Sequence, residues 1–586
     1  MPAILTRSAP PSVVERLVSE GVHPLLARVY AARGVTSADD LGAGFEQLAV
    51  PDAMLNLREM ARVLADAIAA RRKLLIVADY DADGATACAL GTRALRGFGA
   101  GVDYLVPNRF EYGYGLTPEI ARLARERCRP DYLITVDNGI SSVEGVAEAN
   151  RLGMKVLITD HHLAGSRLPE AACIVNPNQP GCAFPSKHLA GVGVMFYLML
   201  ALRAELRERG AFTVRQKEGE PGSSFMPHPS SFSGNSEPNL AELLPLVALG
   251  TVADVVALDH NNRILVRQGL ARIRGGRMQP GVAALFEVAG RDARCAGTRE
   301  LGFVVAPRLN AAGRLTDMAL GIECLVTDDH GRALRIAREL DRLNRERRAI
   351  ESGMQDEALA AVEAQDFGDS YTLSLFDPAW HQGVIGIVAG RMKDRLHRPT
   401  IAFARGAEGE VRGSGRSIPA LHLRDALDRV AVRHPRLILK FGGHAAAAGL
   451  TLREADFGRF RDAFEETARE LLSPADLERV IETDGSLADE EVSLEAARSI
   501  EAGVWGQGFP RPSFRDCFDV ISQRVVGSGH LKLRLARAGR QFDAMLFGAS
   551  GPLPPRIEAV HQLGVNEYQG LASVQLTIEH WQPAGD

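Results

Sequence analysis

Four short motifs in the first half of the sequence combine carboxylates with imidazoles. They are DYDADG (Asp79, Asp81 and Asp83), TVDNG (Asp137), TDHH (Asp160, His161 and His162) and TVAD (Asp254). The three carboxylates of the first motif lie within five residues and repel one another, so something must neutralise them. Carboxylates mixed with one or two imidazoles suit Mn²⁺ or Mg²⁺, whereas zinc sites favour cysteine and more histidine. The motifs therefore predict a site for hard divalent cations.

The acidic side chains are numerous enough for two ions. Two ions about 3.5–4 Å apart need one bridging carboxylate and several terminal ones. A pair of this kind activates a water molecule for attack on phosphorus. A single aspartate in one of these motifs is typical of a turn or of a helix N-cap. Four coincident motifs instead indicate a two-metal centre.

Apolar segments precede the motifs and must bring them together. The predicted strands cover 74–78, 102–107, 131–136, 155–159 and 173–177. They are continuous apolar runs, most of them separated by helical stretches, and this pattern favours a parallel sheet covered on both faces. The run LVALGTVA is interpreted as a further strand, which ends at Asp254. Ligands bind at the carboxyl edge of such sheets, so we expect the four motifs to meet in one cleft.

The rest of the chain divides by composition. Short helices are expected over 1–60, and a stretch rich in Gly, Pro and Ser at 219–239 predicts a mobile insertion. The charged segment 328–366 carries apolar residues at three- to seven-residue intervals, which predicts one long helix. A second, smaller α/β unit follows it. Alternating apolar residues in the tail predict a small antiparallel barrel, so the fold class is α/β with an all-β C-terminal domain.

The composition is ordinary for a soluble protein. A chain of 586 residues is too long for one hydrophobic core. Its net charge of −5 means that it lacks the overall basic excess that would by itself indicate nucleic-acid binding. Seven cysteines without a C-x-x-C pair fit reduced thiols in the cytoplasm. No apolar stretch of about 20 residues predicts a membrane span, so we expect a cytoplasmic protein without membrane contact.

Taken together, the motifs resemble the DHH phosphoesterase superfamily. The resemblance rests on DYDADG, PNR with GYG, TVDNG, TDHH and TVAD, and it continues through APRLNAAGR, WHQGVIGIVAGR, SGRS and FGGHAAAAG. The last three of these motifs are similar to the DHHA1 domain, and the tail beyond VWGQGFPRP is similar to an oligonucleotide-binding (OB) barrel. The resemblance thus implies a DHH domain over 61–327, a connecting helix over 328–366, a DHHA1 domain over 367–472 and an OB-like domain over 473–586.

Within the superfamily, this order of domains is similar to that of single-strand-specific exonucleases. The resemblance implies a metal-dependent phosphodiesterase that degrades single-stranded DNA 5′→3′, releases 5′-mononucleotides and acts in DNA repair and recombination. It also implies a helicase and a single-strand-binding protein as partners, and we expect a monomer. Two alternatives stay open: a relative that hydrolyses small substrates such as dinucleotides, and an inactive scaffold.

The resemblance assigns roles to the metal-binding motifs. Asp81 is expected at the first ion, Asp83, His161 and Asp254 at the second, and Asp137 between the two. His162 is expected beside the first ion, where it contacts the scissile phosphate or orients the attacking water. Asp79 either binds a metal or supports the site from outside it. Related manganese pyrophosphatases have a histidine where this sequence has Val77, which leaves the ligands of the first ion open.

A further set of residues is expected to bind the strand. They are Arg109, Arg308, Asn310 and Arg314 in the DHH domain, His381, Ser414, Arg416 and His444 in the DHHA1 domain, and Lys532 and Arg534 in the barrel. A guanidinium offers a planar fork of donors that suits phosphate oxygens. The DHHA1 residues are predicted to lie in or beside Gly-rich turns, where a backbone can approach closely. Alternate basic residues on a barrel strand can follow a nucleic-acid backbone.

Overall fold

In this computed structural model the chain divides into two compact units. One consists of the residues up to Leu5 with Arg342–Glu482, and the other of Thr6–Asp341 with Thr483–Asp586. The structure describes residues 2–107, 115–212, 237–364, 369–407, 409–527, 529–549, 551–568 and 570–584. Arg109 and most of the insertion predicted at 219–239 lie outside the described residues.

A five-stranded parallel sheet forms the centre of the larger unit. Its strands are β2 (Leu74–Ala78), β3 (Val102–Leu105), β4 (Tyr132–Val136), β5 (Lys155–Thr159) and β6 (Cys173–Val175). They are arranged in the order β3-β2-β4-β5-β6, and every neighbouring pair is parallel. All five residues of β2 are buried, as expected for a strand that is covered on both faces. The predicted parallel α/β sheet is confirmed.

Helices of this unit precede, separate and follow the strands of the sheet. They are α1 (Pro11–Ser19), α2 (Pro24–Ala31), α3 (Leu57–Ala69), α4 (Ala82–Gly97), α5 (Pro118–Arg127), α6 (Val143–Arg151), α7 (Gly191–Glu208), α8 (Leu244–Ala253), α9 (His260–Arg274), α10 (Pro280–Val288), α11 (Ala306–Leu315) and α12 (Ala319–Val326). A short helix, Thr298–Glu300, and a π-helical turn, Leu301–Val305, precede α11. Helix α4, which begins in the DYDADG motif, packs on α7 and α8.

The prediction of a strand before Asp254 is wrong, because this segment forms helix α8. Every residue from Leu244 to Thr251 is buried. A segment buried on all sides shows neither helical nor strand periodicity, so its length and its proline in the first turn are the better indicators of helix. Asp254 is the C-cap residue of α8, and its N–H donates to the carbonyl of Gly250 at 2.9 Å. The carboxylate still reaches the predicted cleft, but from the end of a helix.

A long helix, α13 (His330–Ala364), occupies the segment that the sequence predicted as the connecting helix. The smaller unit then contains a sheet in the order β10-β11-β9-β8-β7. Its strands are β7 (Leu373–Phe376), β8 (Thr400–Arg405), β9 (Glu410–Arg416), β10 (Lys440–Gly443) and β11 (Ala447–Arg453), and its helices are α14 (Ile385–Leu396), α15 (Leu423–Arg433) and α16 (Phe457–Leu471). Two further strands, β1 (Ala3–Thr6) and β12 (Val480–Thr483), form a separate two-stranded sheet.

The tail forms the predicted small barrel, preceded by helix α17 (Leu494–Ala502). Its strands are β13 (Phe514–Val526), β14 (His530–Arg537), β15 (Arg540–Phe547), β16 (Arg556–Tyr568) and β17 (Leu571–Pro583), in the order β13-β14-β15-β17-β16. Most neighbours are antiparallel, but β15 and β17 pair in parallel. Strand β16 was not predicted from the sequence. Among the described residues, no helix has the length and apolar character that a membrane span requires.

Candidate metal centre and strand-binding residues

The DYDADG motif turns sharply from β2 into α4. Asp81 is the N-cap of α4, and its Oδ1 accepts the N–H of Gly84 at 3.0 Å. A Cβ on Gly84 would lie 2.6 Å from the carbonyl oxygen of Asp79, so the tight turn requires glycine. The turn places the three aspartates of the motif at the carboxyl edge of the sheet, where the positive end of α4 favours negative charge.

Asp83 is fixed by the N-terminus of a second helix, α7. The N–H groups of Gly191 and Val192 donate to its two carboxylate oxygens at 2.6 and 2.9 Å. Asp83 is 1% exposed, and burial together with the charge of Asp81 raises its pKa to about 7. The two backbone donors offset only part of this effect, so the buried carboxylate still calls for a cation.

Asp137 directly follows β4 and has a left-handed backbone, with φ of 62°. Non-glycine residues rarely adopt this conformation, and those that do cluster at functional sites. The side chain is buried against α7: a Cβ on Gly191 would lie 2.7 Å from the Cβ of Asp137. Burial and the carboxylates of Asp83 and Asp81 raise the pKa of Asp137 well above its ordinary value.

Asp160 orients the two histidines of the TDHH motif. Its carboxylate accepts the backbone N–H groups of Ile140, His161 and His162 and lies 2.7 Å from Nδ1 of His162. Although burial opposes ionisation, the hydrogen bond and charge of His162 lower the pKa of Asp160 to about 2. Burial likewise opposes protonation of His162, yet Asp160 raises the His162 pKa to about 9. Asp160 therefore holds Nδ1 of His162 and favours the protonated form of its imidazole.

Three overlapping groups of side chains could hold divalent ions. In each, the potential ligand atoms lie within 4.8 Å of one another, and the groups are Asp79/Asp81/Asp137, Asp83/His161/Asp254 and Asp137/His161/His162. Nε2 of His161 lies 3.0 Å from Oδ1 of Asp137 and 3.6 Å from Oδ2 of Asp254. Burial and neighbouring carboxylates also raise the pKa of Asp254. A buried, mutually repelling set of oxygen donors with one or two imidazoles fits Mn²⁺ or Mg²⁺.

Several supporting residues of this centre were not identified from the sequence. Asn178 donates from Nδ2 to the carbonyl of His161 at 2.6 Å, and Asn176 donates to that of His162 at 2.9 Å. Both asparagines follow β6, but the predicted strand 173–177 included Asn176, so only Asn178 lay after a predicted strand. Gly191 and Gly250 lie in helices without any local signal, although a Cβ on Gly250 would lie 2.9 Å from Oδ1 of Asp83.

Helix α11 packs directly on the DYDADG loop. Oδ1 of Asn310 accepts the N–H of Ala82 at 2.8 Å, and a Cβ on Gly313 would lie 1.9 Å from the carbonyl oxygen of Tyr80. Arg308 is buried, donates to Oδ1 of Asp341 at 3.0 Å and to the carbonyl of Val304 at 2.6 Å. The guanidinium of Arg308 is thus engaged within the protein. Arg314, near the end of the same helix, is partly exposed.

In the smaller unit, Ser414 and Arg416 converge on the N-terminus of α14. Both belong to the glycine-rich strand β9, and Arg416 is its last residue. A Cβ on Gly386 would lie 2.8 Å from Oγ of Ser414 and 3.2 Å from Nη2 of Arg416. A hydroxyl and a guanidinium beside the first turn of a helix suit a bound anion such as phosphate.

The two histidines predicted in this unit lie in short connecting segments. Nδ1 of His381 accepts the N–H of Gly383 at 3.1 Å, just before α14 begins. His444 follows β10, is exposed, and its N–H donates to the carbonyl of Ala447 at 2.7 Å.

In the barrel, Lys532 and Arg534 project from the same face of β14. Arg534 is exposed and forms an ion pair with Asp543 at 3.2 Å. Lys532 lies directly opposite Arg524 of β13, which the sequence reasoning missed. Like charges at directly opposite positions destabilise a sheet, so this pair is more favourable when an anion binds to it.

Comparison with known proteins identifies the domains and the family. Residues 73–219 match the DHH family N-terminal domain, 368–470 the DHHA1 domain and 483–580 the RecJ OB domain. The chain is 49% identical to the single-stranded-DNA-specific exonuclease RecJ of Dickeya dadantii, over 97% of this chain and 98% of the relative. It is 46% identical to the Escherichia coli protein of the same name, over 96% of each.

Solved structures lead to the same family. RecJ from Thermus thermophilus in complex with Mn²⁺ superimposes with a TM-score of 0.80 at 28% identity, covering all of this chain and 80% of that one. The same protein in complex with Mg²⁺ gives a TM-score of 0.74 at 27% identity, covering all of this chain and 78% of that one. With near-complete coverage of curated relatives, the chain belongs to the RecJ family of DHH-domain proteins.

Proposed function

We propose that this chain is a single-strand-specific 5′→3′ DNA exonuclease that uses two Mn²⁺ or Mg²⁺ ions and acts in DNA repair and recombination. The observation that carries the proposal is the position of Asp137, which groups with Asp79 and Asp81 and whose Oδ1 lies 3.0 Å from Nε2 of His161, a member of the Asp83/His161/Asp254 group. A carboxylate shared in this way is what a two-ion centre requires. The names of the relatives support single-stranded DNA as the substrate.

In this proposal the carboxylates divide between two positions. Asp79, Asp81 and Asp137 hold one ion, whereas Asp83, Asp137, His161 and Asp254 hold the other. Two ions bound there would supply an activated water and neutralise the charge that develops on the phosphate. Asp79 is thus proposed as a ligand, because its carboxylate lies within 4.8 Å of those of Asp81 and Asp137.

His162 acts on the phosphate from the side of the cluster. Because Asp160 holds Nδ1, Nε2 is the ring atom that we propose contacts a phosphate oxygen. Attack of water on phosphorus breaks the P–O3′ bond, and the departing 3′-oxygen takes up a proton. The released nucleotide keeps its own 5′-phosphate, and the shortened strand begins with a new one. Each turnover therefore regenerates the same kind of strand end.

Polar groups outside the cluster recognise the strand. In the smaller unit, Ser414, Arg416 and the N-terminus of α14 bind a phosphate, with His381 and His444 in the neighbouring turns. In the barrel, Lys532 and Arg534, together with Arg524, follow the backbone. Arg109 and Arg314 are proposed as further phosphate ligands, Asn310 as a support of the DYDADG loop, and Arg308 as a support of α11. A helicase and a single-strand-binding protein as partners, a monomeric state and a cytoplasmic location stay predictions.

Digestion of end-labelled DNA tests this function. The substrates are a 5′-phosphorylated single strand labelled at either end, the matching duplex and a dinucleotide, each with Mn²⁺ and with Mg²⁺. We expect mononucleotides to be released first from the 5′ end of the single strand and the duplex to resist. Asp137→Ala should abolish cleavage and leave strand binding largely intact. Faster turnover of the dinucleotide than of the strand would favour a small-substrate enzyme, and no cleavage with either ion would favour an inactive scaffold.

A further inference from the structure

The segment VWGQGF (504–509), which leads into the barrel, is held rigidly by stacked rings. The indole of Trp505 stacks on Tyr30 and on Phe509, with ring centroids 5.6 and 5.4 Å apart. The guanidinium of Arg263 lies over the ring of Phe509 at 4.3 Å. Nε1 of Trp505 donates to the carbonyl of Ile500 at 2.6 Å. The segment is therefore anchored to α2, α9 and α17 before the first barrel strand begins.

This segment also contacts the loop that follows α8. The N–H of Leu258 donates to the carbonyl of Gln507 at 2.7 Å. A Cβ on Gly506 would lie 2.8 Å from Cδ1 of Leu258. Gly508 has φ of +71°, and a Cβ there would lie 3.0 Å from the Cβ of Ala257. The two glycines thus permit a close approach between the segment and the loop.

The other end of the same loop carries Asp254, one of the candidate ligands. Between the two ends, Val255 has φ of 62° and is 63% exposed. A β-branched residue in the left-handed region is an outlier, and it persists only where the surrounding structure fixes the chain on both sides. On one side of Val255, the N–H of Asp254 donates to the carbonyl of Gly250 at 2.9 Å. On the other side, the N–H of Leu258 donates to the carbonyl of Gln507.

We infer that the segment 504–509 positions Asp254 for metal binding. It does so by fixing Leu258, which keeps the strained Val255 in place and holds the Asp254 carboxylate beside His161. The attachment of the barrel and the ligand geometry at the second ion are thereby coupled. The inference rests on the proposed assignment of Asp254 as a metal ligand.

Gly508→Ala tests the inference in the full-length protein. The matched control is Gly539→Ala, because Gly539 also has a left-handed backbone, φ +78°, but nothing lies within 4 Å of its added Cβ. Mn²⁺ binding is measured without DNA from the electron paramagnetic resonance (EPR) signal of unbound Mn²⁺. Supporting groups of a metal site typically contribute 10- to 100-fold in affinity. We expect Gly508→Ala to lower the affinity for one of the two Mn²⁺ ions by about this factor. Gly539→Ala should leave the affinity for both ions unchanged.

A rescue variant separates positioning from general destabilisation. Val255→Gly removes the backbone strain that would otherwise let the loop from Asp254 to Leu258 relax to another conformation. The double variant Gly508→Ala/Val255→Gly should therefore bind Mn²⁺ more tightly than Gly508→Ala alone. If Gly508→Ala fails to fold, the milder Gly506→Ala takes its place, since its added Cβ meets only the end of a leucine side chain. Equal Mn²⁺ affinities of the test and control variants, or a double variant as weak as the single one, would overturn the inference.

Asp254→Asn distinguishes a failure of this inference from a failure of the proposed function. If Asp254→Asn lowers the affinity for one Mn²⁺ but Gly508→Ala does not, Asp254 is a metal ligand and the positioning role of segment 504–509 is wrong. If Asp254→Asn leaves both ions bound with unchanged affinity, the assignment of Asp254 is wrong and the inference is overturned with it.

Discussion

Gly191→Ala should disrupt the metal centre through a single added methyl group. The new Cβ would lie 2.7 Å from the Cβ of Asp137 and 2.8 Å from its Oδ1. Ordinary contact between such carbons begins near 3.4 Å, so Asp137 and the start of α7 must move apart by about 0.7 Å. The same movement lengthens the 2.6 Å hydrogen bond from the Gly191 N–H to Asp83. Two candidate ligands are therefore displaced together.

A shift of this size is large for a metal site, where useful geometry is kept within about 0.5 Å. We expect Mn²⁺ affinity to fall about 10- to 100-fold, and turnover on single-stranded DNA at fixed Mn²⁺ to fall about 100-fold. Isothermal titration calorimetry measures the first quantity, and release of labelled mononucleotides measures the second.

The control for this variant lies at the other end of the same helix. Gly210 has φ of +69°, and its added Cβ meets nothing within 4 Å. Gly210→Ala should lower the free energy of unfolding by about 1 kcal/mol without changing Mn²⁺ affinity. Gly191→Ala should instead lose Mn²⁺ affinity, and its overpacking should also lower the free energy of unfolding by about 1–3 kcal/mol. If Gly191→Ala binds Mn²⁺ as tightly as the wild type, the proposed packing of α7 against the ligands is refuted.

Three further predictions concern charge. Asp160→Asn should lower the pKa of His162 from about 9, measured by NMR of the metal-free protein, and reduce turnover about 100-fold or more; an unchanged His162 pKa would contradict the pairing. Because burial and Asp81 raise the pKa of Asp83 from 3.8 to about 7, the metal-free protein should lose stability as the pH rises from about 4 to 7. Thermal unfolding without metal should show a smaller loss for Asp83→Asn, and an equal loss would exclude Asp83 as its source. Lys532→Gln should weaken binding of single-stranded DNA and reduce its salt dependence, whereas dinucleotide hydrolysis should not change; an unchanged salt dependence would exclude a phosphate contact.

The central sheet could be predicted because its strands are continuous apolar runs of ordinary strand length. The predicted strand at 74–78 matches β2, and 155–159 matches β5. The longer apolar run at α8 instead forms a helix that is buried from Leu244 to Thr251. Strand β16 of the barrel could not be predicted, because polar residues and Gly564 interrupt its alternation of apolar and polar residues.

The candidate ligands could be predicted because they cluster in short motifs, but their supports could not. Gly191 contacts Asp83 across 108 positions of sequence, and nothing near either residue indicates the contact. Asn178 supports the backbone of His161 from a loop that reads as an ordinary turn. Arg308 was predicted to bind phosphate from its motif, and its contacts with Asp341 and Val304 could not be foreseen in the same way. Long-range packing decides such cases, and the local sequence does not record it.

The most direct test of the central claim is the EPR spectrum of Mn²⁺ bound to the wild type and to Asp137→Asn. Asp137 groups with Asp79 and Asp81 at one position, and its Oδ1 lies 3.0 Å from Nε2 of His161 at the other, so its carboxylate should bridge the two ions. We expect two bound Mn²⁺ in the wild type with the spectrum of a magnetically coupled pair, and loss of that coupling in Asp137→Asn. A wild type that binds only isolated Mn²⁺, or an Asp137→Asn variant that keeps the coupled pair, would contradict it.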